Sequence, residues 1–310
     1  MEYCIYKLEF TTAVHFGNRT LEDREFSFGA DQLFSALCQE CIKEGVEKLE
    51  AFYQKVKDGN ILFSDGLPYD AYSYYIPKPL KRILVPDKEE GDSKKKKAYK
   101  KLKYIPIDKL EAYLDGKLDA EREREAQRNW GKGMLKTSAA VRGKEETEPY
   151  HVGLFQFQKG CGLYVILGYQ GEEELELMQE LFEKLSYTGL GGKRSAGLGK
   201  FQCIPKKIPK ELKERLKVRE GECMTLSVAL PREDELEKAL EQASYLVVKR
   251  SGFVDSDNYA DAQMRKKNLY VLQAGSCFRQ RFSGDIYDVS DGGRHAVYRY
   301  AKPLFLEVSR

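Results

Sequence analysis

The stretch Thr188–Phe201, TGLGGKRSAGLGKF, holds five glycines, two lysines and an arginine in fourteen residues. Its setting decides the fold. Upstream, Leu175, Met178, Leu181, Phe182 and Leu185 recur at helical spacing, and Glu172–Glu174 lie where the helix dipole favours acid. Downstream, the residues around Lys200–Ile204 read as a short strand. The loop therefore joins a helix to a strand. A P-loop needs GxxxxGK[ST] in the opposite order, so that the N-terminus of a helix faces phosphate. Gly192 and Gly197 have the right gap, but Leu198 stands where the lysine belongs. No GxGxxG fits either, and nucleotide hydrolysis is disfavoured on both counts. Gly189, Gly191, Gly192, Gly197 and Gly199 instead permit positive φ and close approach of backbone to a ligand. Successive N–H groups make an anion nest, Lys193, Arg194 and Lys200 add charge, and Ser195 adds a hydroxyl. The competing reading is a plain helix-to-strand connection with incidental cations.

Outward from the loop the chain offers an ordered set of elements. Tyr3–Phe10 alternates, with Cys4, Tyr6, Leu8 and Phe10 on one face of a predicted strand and Lys7 and Glu9 on the other. Asp31 is placed to cap a helix carrying Leu33, Phe34, Leu37, Cys38, Cys41 and Ile42, and Gly45 ends or breaks it. Asn60–Phe63 and Leu163–Leu167 read as strands. The order is βαββαβ, the ferredoxin-like unit. Within it, an insertion runs from Pro77 to Pro149, or to about residue 155 with its hairpin. It contains SKKKKAYKKLK (Ser93–Lys103), a helix near Ile107–Leu114 and a charged helix near Leu118–Asn129. Lysine runs of this kind are ordinarily solvated or disordered. Ile204–Gly221 is basic and proline-punctuated and reads as a connector. Beyond it follow a strand at Cys223–Leu230, a helix at Glu233–Ala243, a strand at Tyr245–Lys249, and strand-like runs at Leu269–Leu272 and Pro303–Val308. The expected fold class is α+β, with two ferredoxin-like (RRM-like) domains at 1–205 and 222–310 joined through 206–221.

At 310 residues, 42% hydrophobic and 33% charged, the composition is that of a globular chain. No run approaches the roughly 20 apolar residues of a membrane helix. MEYCIYKLEF lacks the basic and apolar regions of a secretion signal, and seven scattered cysteines are no disulfide framework. The expected compartment is the cytoplasm. Net charge is only +3, but the basic residues are clustered, and local patches are what attract a polyanion.

A glycine-rich loop before the last strand of a ferredoxin-like unit resembles the RAMP superfamily of CRISPR RNA-binding proteins. YKLEFTTAVHFG, ADQLFSALCQE, YIPKPL, KRSAGLGKF, RSGFV, GDIYDVS and VYRYAKPLFL occur here in the order of one group. That group is Csm4, the Cas-five-like subunits of type III-A (Csm) effectors. The resemblance touches both ends and the middle of the chain, leaving mainly the charged insertion outside it. It implies a subunit noncatalytic in target cleavage that holds the 5′ handle of the CRISPR RNA. It also implies contacts with the large Cas-ten-type subunit and a backbone RAMP subunit.

Carried over by position, the handle-binding candidates are Gly189–Lys200 with His15, Phe16, Gly17 and Arg19. Single-stranded RNA is held by cations on its backbone and by platforms for its bases, so His15 and Phe16 would stack while Arg19, Lys193 and Arg194 neutralise phosphate. In the second domain Arg250, Arg279 and Arg281 are interleaved with aromatics and glycine, and strand ends or solvated turns are the competing account. Asp288–Tyr300 looks like a hairpin turning at Gly292 and Gly293. Lys136–Phe155 resembles the thumb hairpin that RAMP proteins lay across the guide–target duplex, with Arg142 and His151 as contacts.

The rival is a metal-free ribonuclease that processes CRISPR RNA with His15 as general base. Cofactors and metals are not expected. Cys38 and Cys41 form one CxxC on an apolar helical stripe, where core packing is the simpler account. Asp255, Asp257 and Asp261 lack the glycine and terminal glutamate of a calcium loop.

Overall fold

The structure, a computed structural model, describes residues 1–17, 20–83, 92–140, 148–256 and 258–309. The chain opens with β1 (Glu2–Phe10), α1 (Ala30–Ile42), α2 (Val46–Lys57), β2 (Ile61–Phe63) and β3 (Leu67–Tyr69). The insertion supplies β4 (Tyr75–Pro77), α3 (Asp92–Lys101), β5 (Tyr104–Pro106), α4 (Leu110–Leu114), α5 (Ala120–Arg128), β6 (Gly131–Ala140) and β7 (Glu148–Phe157). The chain returns through β8 (Gly162–Tyr169), α6 (Glu172–Thr188) and β9 (Phe201–Lys206). The main sheet runs β2–β8–β1–β9, antiparallel throughout, with β3 also paired to β8. Phe10 pairs with Phe201, so the glycine loop lies beside the segment that leaves β1.

Side-chain alternation sends β1 into two cores. Tyr6, Leu8 and Phe10 meet α1 and α6, and Tyr6 stacks on Phe182 at 4.3 Å. Tyr3 and Ile5 face a second cluster built from the insertion and the C-terminal strands. With both faces covered, Gly162–Gly168 of β8 is buried without interruption. Tyr300 and Ala301 join the first cluster, and Leu304, Leu306 and Val308 join the second. Residues 222–310 thus share both cores with the N-terminal half.

Gly45 separates α1 from α2, as its flexibility suggests, with φ at 132°. Asp31 does not cap α1. Gly29 occupies that position, Gln32 accepts its N–H at 3.0 Å, and Asp31 lies in the buried first turn. The lysine run also departs from expectation. Part of it forms α3, because Ala98, Tyr99 and the following Leu102 bury themselves, and Tyr99 donates its hydroxyl to the Leu118 carbonyl at 2.8 Å. Trp130 ties the insertion to the base of the β6–β7 hairpin through edge contacts with Tyr75, Phe26 and Tyr104 at 4.7, 5.6 and 5.9 Å.

The connector contains a helix, α7 (Lys210–Lys217), whose Leu212 and Leu216 sit one turn apart in the second core. Beyond it come β10 (Cys223–Thr225), α8 (Leu236–Leu240), β11 (Val247–Arg250), β12 (Leu269–Leu272), β13 (Cys277–Phe278), β14 (Asp285–Asp288), β15 (Tyr298–Ala301) and β16 (Phe305–Glu307). These strands form three small antiparallel sheets: β13–β10–β16, β11–β12 and β14–β15. The strand expected over Cys223–Leu230 stops at Thr225, whose hydroxyl donates to Ser227 O at 2.7 Å and accepts from Ser227 N at 3.2 Å. That local bonding replaces the ladder. The helix expected over Glu233–Ala243 shortens to α8, and Gln242 at φ 54° marks its departure from helical geometry. Among the described residues no helix is long and apolar enough to cross a membrane.

Candidate nucleic-acid interface

The glycine loop is a built structure. Gly189 ends α6 at φ 87° and donates its N–H to Leu185 O at 2.8 Å. Leu190 is buried and donates to Gly199 O at 2.9 Å, while Gly199 donates to Ala13 O at 2.9 Å and Gly192 to His15 O at 2.9 Å. Lys200 closes the loop by donating to Thr12 Oγ1 at 3.0 Å. Three glycines are required outright, and at Gly189 a Cβ would lie 2.8 Å from Leu198 O. Gly199 has φ 76°, and a Cβ there would collide with the Leu190 carbonyl; Gly191 has φ 100°, and a Cβ would sit 2.7 Å from His15 O. Much of the expected anion nest is therefore committed to the loop's own fold. The exposed part is the tip, where Gly192, Lys193 and Ser195 face solvent around a short 3₁₀ turn.

Both cations at this tip have a protein contact. The Lys193 ammonium lies 5.1 Å from the centre of the Tyr150 ring on β7. Arg194 donates to Gln39 Oε1 at 2.7 Å and to Asp255 Oδ2 at 3.0 Å, linking the loop to α1 and the C-terminal half. His15 is buried, and its Nδ1 lies 2.7 Å from Gly153 O. A Cβ on Gly17 would lie 2.9 Å from His15 Cε1, so glycine lets the chain turn over the ring. These contacts bring the β1 exit, the glycine loop and the hairpin to one surface.

Phe16 is not a stacking platform. It is 1% exposed and packs edge-on against Phe10 at 5.9 Å and Phe28 at 5.2 Å, because the sheet end needs an apolar plug there. Arg250 is likewise withdrawn from solvent. Its Nε and Nη2 donate to Asp31 at 2.8 and 2.6 Å, and Arg299 donates to the same carboxylate at 2.6 Å. Burial alone would raise the Asp31 pKa, but the Arg250 and Arg299 guanidiniums hold it below the usual carboxylate range. Arg281 fastens the end of α7 by donating to Val218 O at 2.8 Å and Arg219 O at 3.2 Å, with its guanidinium over Phe305. Arg279 is exposed. Arg19, Arg142 and Asp257 lie outside the described residues.

The hairpin forms a two-stranded sheet of its own. Residues Lys132 and Met134–Thr137 of β6 are exposed, and Met134 and Leu135 present apolar side chains among Lys132 and Lys136. Its base is held by Gly153 N–H donating to Leu21 O at 2.6 Å and by mutual bonds between Val14 and Phe155. His151 is exposed on β7, with Nδ1 3.2 Å from Thr137 Oγ1 on the paired strand.

Between the loop, α1 and the 250–255 segment lies a cleft of about 350 Å³, lined in part by Gln39, Arg194, Phe253, Asp255, Lys266 and Arg299. Lys266 has its pKa lowered, first by burial and then by the Arg299 charge. Sequence reasoning missed Gln39, Tyr150, Lys266 and Arg299. Only Tyr150, an aromatic residue in the thumb-like stretch beside His151, carried a local signal. Among the described residues no group of three His, Cys, Asp or Glu is placed to hold a metal ion. Cys41 is buried and its thiol is pushed up to about 12 by burial, while Cys38 packs against the same core.

Residues 219–308 match the family described as the CRISPR Csm4 C-terminal domain. The CRISPR system Cms protein Csm4 of Mycobacterium tuberculosis (strain CDC 1551 / Oshkosh) is 40% identical over 293 residues, covering 94% of this chain and 93% of the relative. The protein of the same name from Streptococcus thermophilus is 35% identical over 318 residues, covering 99% of each. In fold the chain resembles one from a Csm3–Csm4 subcomplex of the type III-A CRISPR-Cas interference complex, with a TM-score of 0.68, 21% identity and 99% of each chain covered. It also resembles a chain of a Csm1–Csm4 cassette in complex with cA4, with a TM-score of 0.60, 17% identity and 99% and 98% covered. The candidate interface thus sits on a fold shared with subunits of CRISPR complexes. This chain belongs to the Csm4 family of type III-A CRISPR systems.

Proposed function

We propose that this chain is the noncatalytic subunit that holds the 5′ handle of the CRISPR RNA and joins the large Cas-ten-type subunit to the backbone RAMP subunits. The observation that carries the RNA part is convergence. Lys193 at the loop tip, Tyr150 on the hairpin, and the His15–Gly17 turn meet on one surface, held by the Lys193–Tyr150 and His15–Gly153 contacts. A cation beside an aromatic ring is the pairing that single-stranded RNA uses. The hairpin, with exposed side chains along β6, suits a guide–target duplex laid across it. Solved complexes that pair Csm4 with Csm3 and with Csm1 support the two protein contacts. The order of the main sheet, with α1 and α6 as connections, supports a ferredoxin-like class for the first unit, bounded at about residue 205. The second unit, 222–310, follows the segment that contains α7, and its assignment as a divergent ferredoxin-like unit rests on the order of β10, α8 and β11 alone.

The test is binding of RNA carrying an intact handle, against the same RNA with the handle scrambled, across a salt series. The intact handle binds more tightly, and log affinity falls by about 0.7 per phosphate neutralised against log salt. Lys193→Ala with Arg194→Ala weakens binding and flattens the slope; unchanged binding removes the loop from the site. Incubation with repeat RNA in EDTA tests the rival. Cleavage that His15→Ala abolishes would make this chain the ribonuclease.

A further inference from the structure

We infer that α3 and Lys103, two residues past its end, form a second RNA-backbone site, separate from the handle surface. Ser93–Ile107 contains seven lysines and no acid. A run of this composition repels itself, yet here its first part, as far as Lys101, lies in α3. Tyr99 and Leu102 are buried in the second core, Tyr99 stacks on Tyr113 at 5.8 Å, and the Lys78 ammonium donates to Tyr99 O at 2.8 Å. The anchoring side chains set the exposed ones. Lys97, Lys100, Lys101 and Lys103 all face solvent, and none has an ion-pair partner among the described residues. Elsewhere the same chain pairs its lysines readily, as Lys48, Lys55 and Lys109 show. Four exposed ammonium groups with no acid partner among the described residues raise the local potential and fit a regular polyanion.

A phosphodiester chain fits better than an acidic protein surface because the cations continue towards the hairpin. Gln127 of α5 donates to Tyr104 O at 2.8 Å, next to Lys103. Exposed Arg128 ends α5, and Lys132 follows on β6. The track leads from α3 along the end of α5 onto the ribbon, without passing through the glycine loop.

The experiment uses the full chain and a handle-free uridine oligonucleotide of about 30 residues, long enough to span more than one ordinary single-strand footprint. Changing Lys97, Lys100, Lys101 and Lys103 together to Gln lowers affinity at least about tenfold at low salt. It also reduces the log–log salt slope by about 2.8, four phosphates at about 0.7 each. Arginine at all four positions retains binding. Lys238→Gln, at an exposed lysine of α8 outside this track, leaves the affinity for this RNA unchanged. In the unmodified chain the same RNA protects these lysines from acetylation, a readout that needs no variant. Unchanged affinity and slope in the Gln variant, or no protection, overturns the proposal. Loss of co-assembly with partner subunits at unchanged RNA affinity overturns it in favour of an acidic protein surface.

Discussion

The glycine loop and α3 are both short and both basic, but their charges stand differently. In the loop, Arg194 holds Gln39 and Asp255, and Lys193 lies over Tyr150. Close by, Arg250 and Arg299 converge on Asp31. In α3, by contrast, the packing is carried by Ala98 and Tyr99, and Lys97, Lys100 and Lys101 hold no acid among the described residues. The loop's cations are thus partly structural, while these three of α3 are open to a ligand. Charge density alone does not distinguish the two. What distinguishes them is whether tertiary packing brings a carboxylate within reach, and that depends on residues far away in sequence.

The largest expected effect comes from removing the acid that occupies the arginines. Asp31→Ala leaves two buried guanidiniums without their carboxylate, and stability falls by about 3–5 kcal/mol in urea unfolding. A loss below about 1 kcal/mol would mean that Arg250 and Arg299 are hydrated and available to RNA, which would erase the contrast with α3. Next in size is Gly199→Ala. The new Cβ would meet the Leu190 carbonyl at a positive φ, so the loop must shift and about 3 kcal/mol is lost. The equivalent change at Gly197 (φ 83°), where a Cβ meets nothing within 4 Å, costs only about 1 kcal/mol. Equal effects at the two positions would show that the loop is not fixed by the Leu190–Gly199 bond.

Much of the N-terminal architecture was legible because it is local. The alternation of β1, the stripe of α6 and the reversed helix–loop–strand order each lie within one stretch, and so does the glycine turn at Gly292, where φ is 72°. The hairpin was legible too, although it begins at Gly131, five residues before the stretch read as a thumb. What sequence did not disclose is long-range. Asp31 looks like a helix cap until Arg250 and Arg299, more than two hundred residues away, reach it. Phe16 looks like an exposed aromatic beside a histidine until Phe10 and Phe28 enclose it. Tyr99 looks like an interruption in a solvated lysine run until Tyr113 and Leu118 give it a place to bury.

A third prediction separates two carboxylates at the junction of the halves by pH. Asp65 Oδ1 accepts from Ala30 N–H at 2.8 Å and Val228 N–H at 2.9 Å, and burial pushes its pKa up to about 7. The folded state therefore keeps a proton that the unfolded chain loses, and stability falls as pH rises from about 4 to about 7. Asp31 acts in the opposite sense, because its folded pKa is depressed: it stabilises above about pH 4 and that contribution is lost on acidification. Asp65→Asn keeps an acceptor oxygen and removes the titration. The variant is more stable than the parent at pH 8 by about 2 kcal/mol, and the gap closes towards pH 4. Full linkage allows roughly 1.4 kcal/mol for each pH unit separating the folded from the unfolded pKa, and the amide recovers less because its oxygen accepts more weakly than a carboxylate. Calorimetric melting across this range checks it, and a gap that widens on acidification would reverse the assignment.

The smallest effect probes the loop side of the comparison directly. Tyr150 is the contact through which the hairpin positions Lys193, with the ammonium 5.1 Å from the ring centre. An exposed cation–π pair is worth about 0.5–1 kcal/mol, so Tyr150→Ala lowers affinity for handle RNA about two- to fivefold and leaves the melting temperature nearly unchanged. Tyr150→Phe keeps the ring and therefore keeps the affinity. The contribution is small because a flexible lysine reaches phosphate without the ring, only less often. No such partner holds Lys97, Lys100, Lys101 or Lys103 among the described residues, so RNA binding there is indifferent to Tyr150. Tighter binding by Tyr150→Ala would show that the ring competes with RNA for the lysine, and Lys193 would then be a cation RNA must first release.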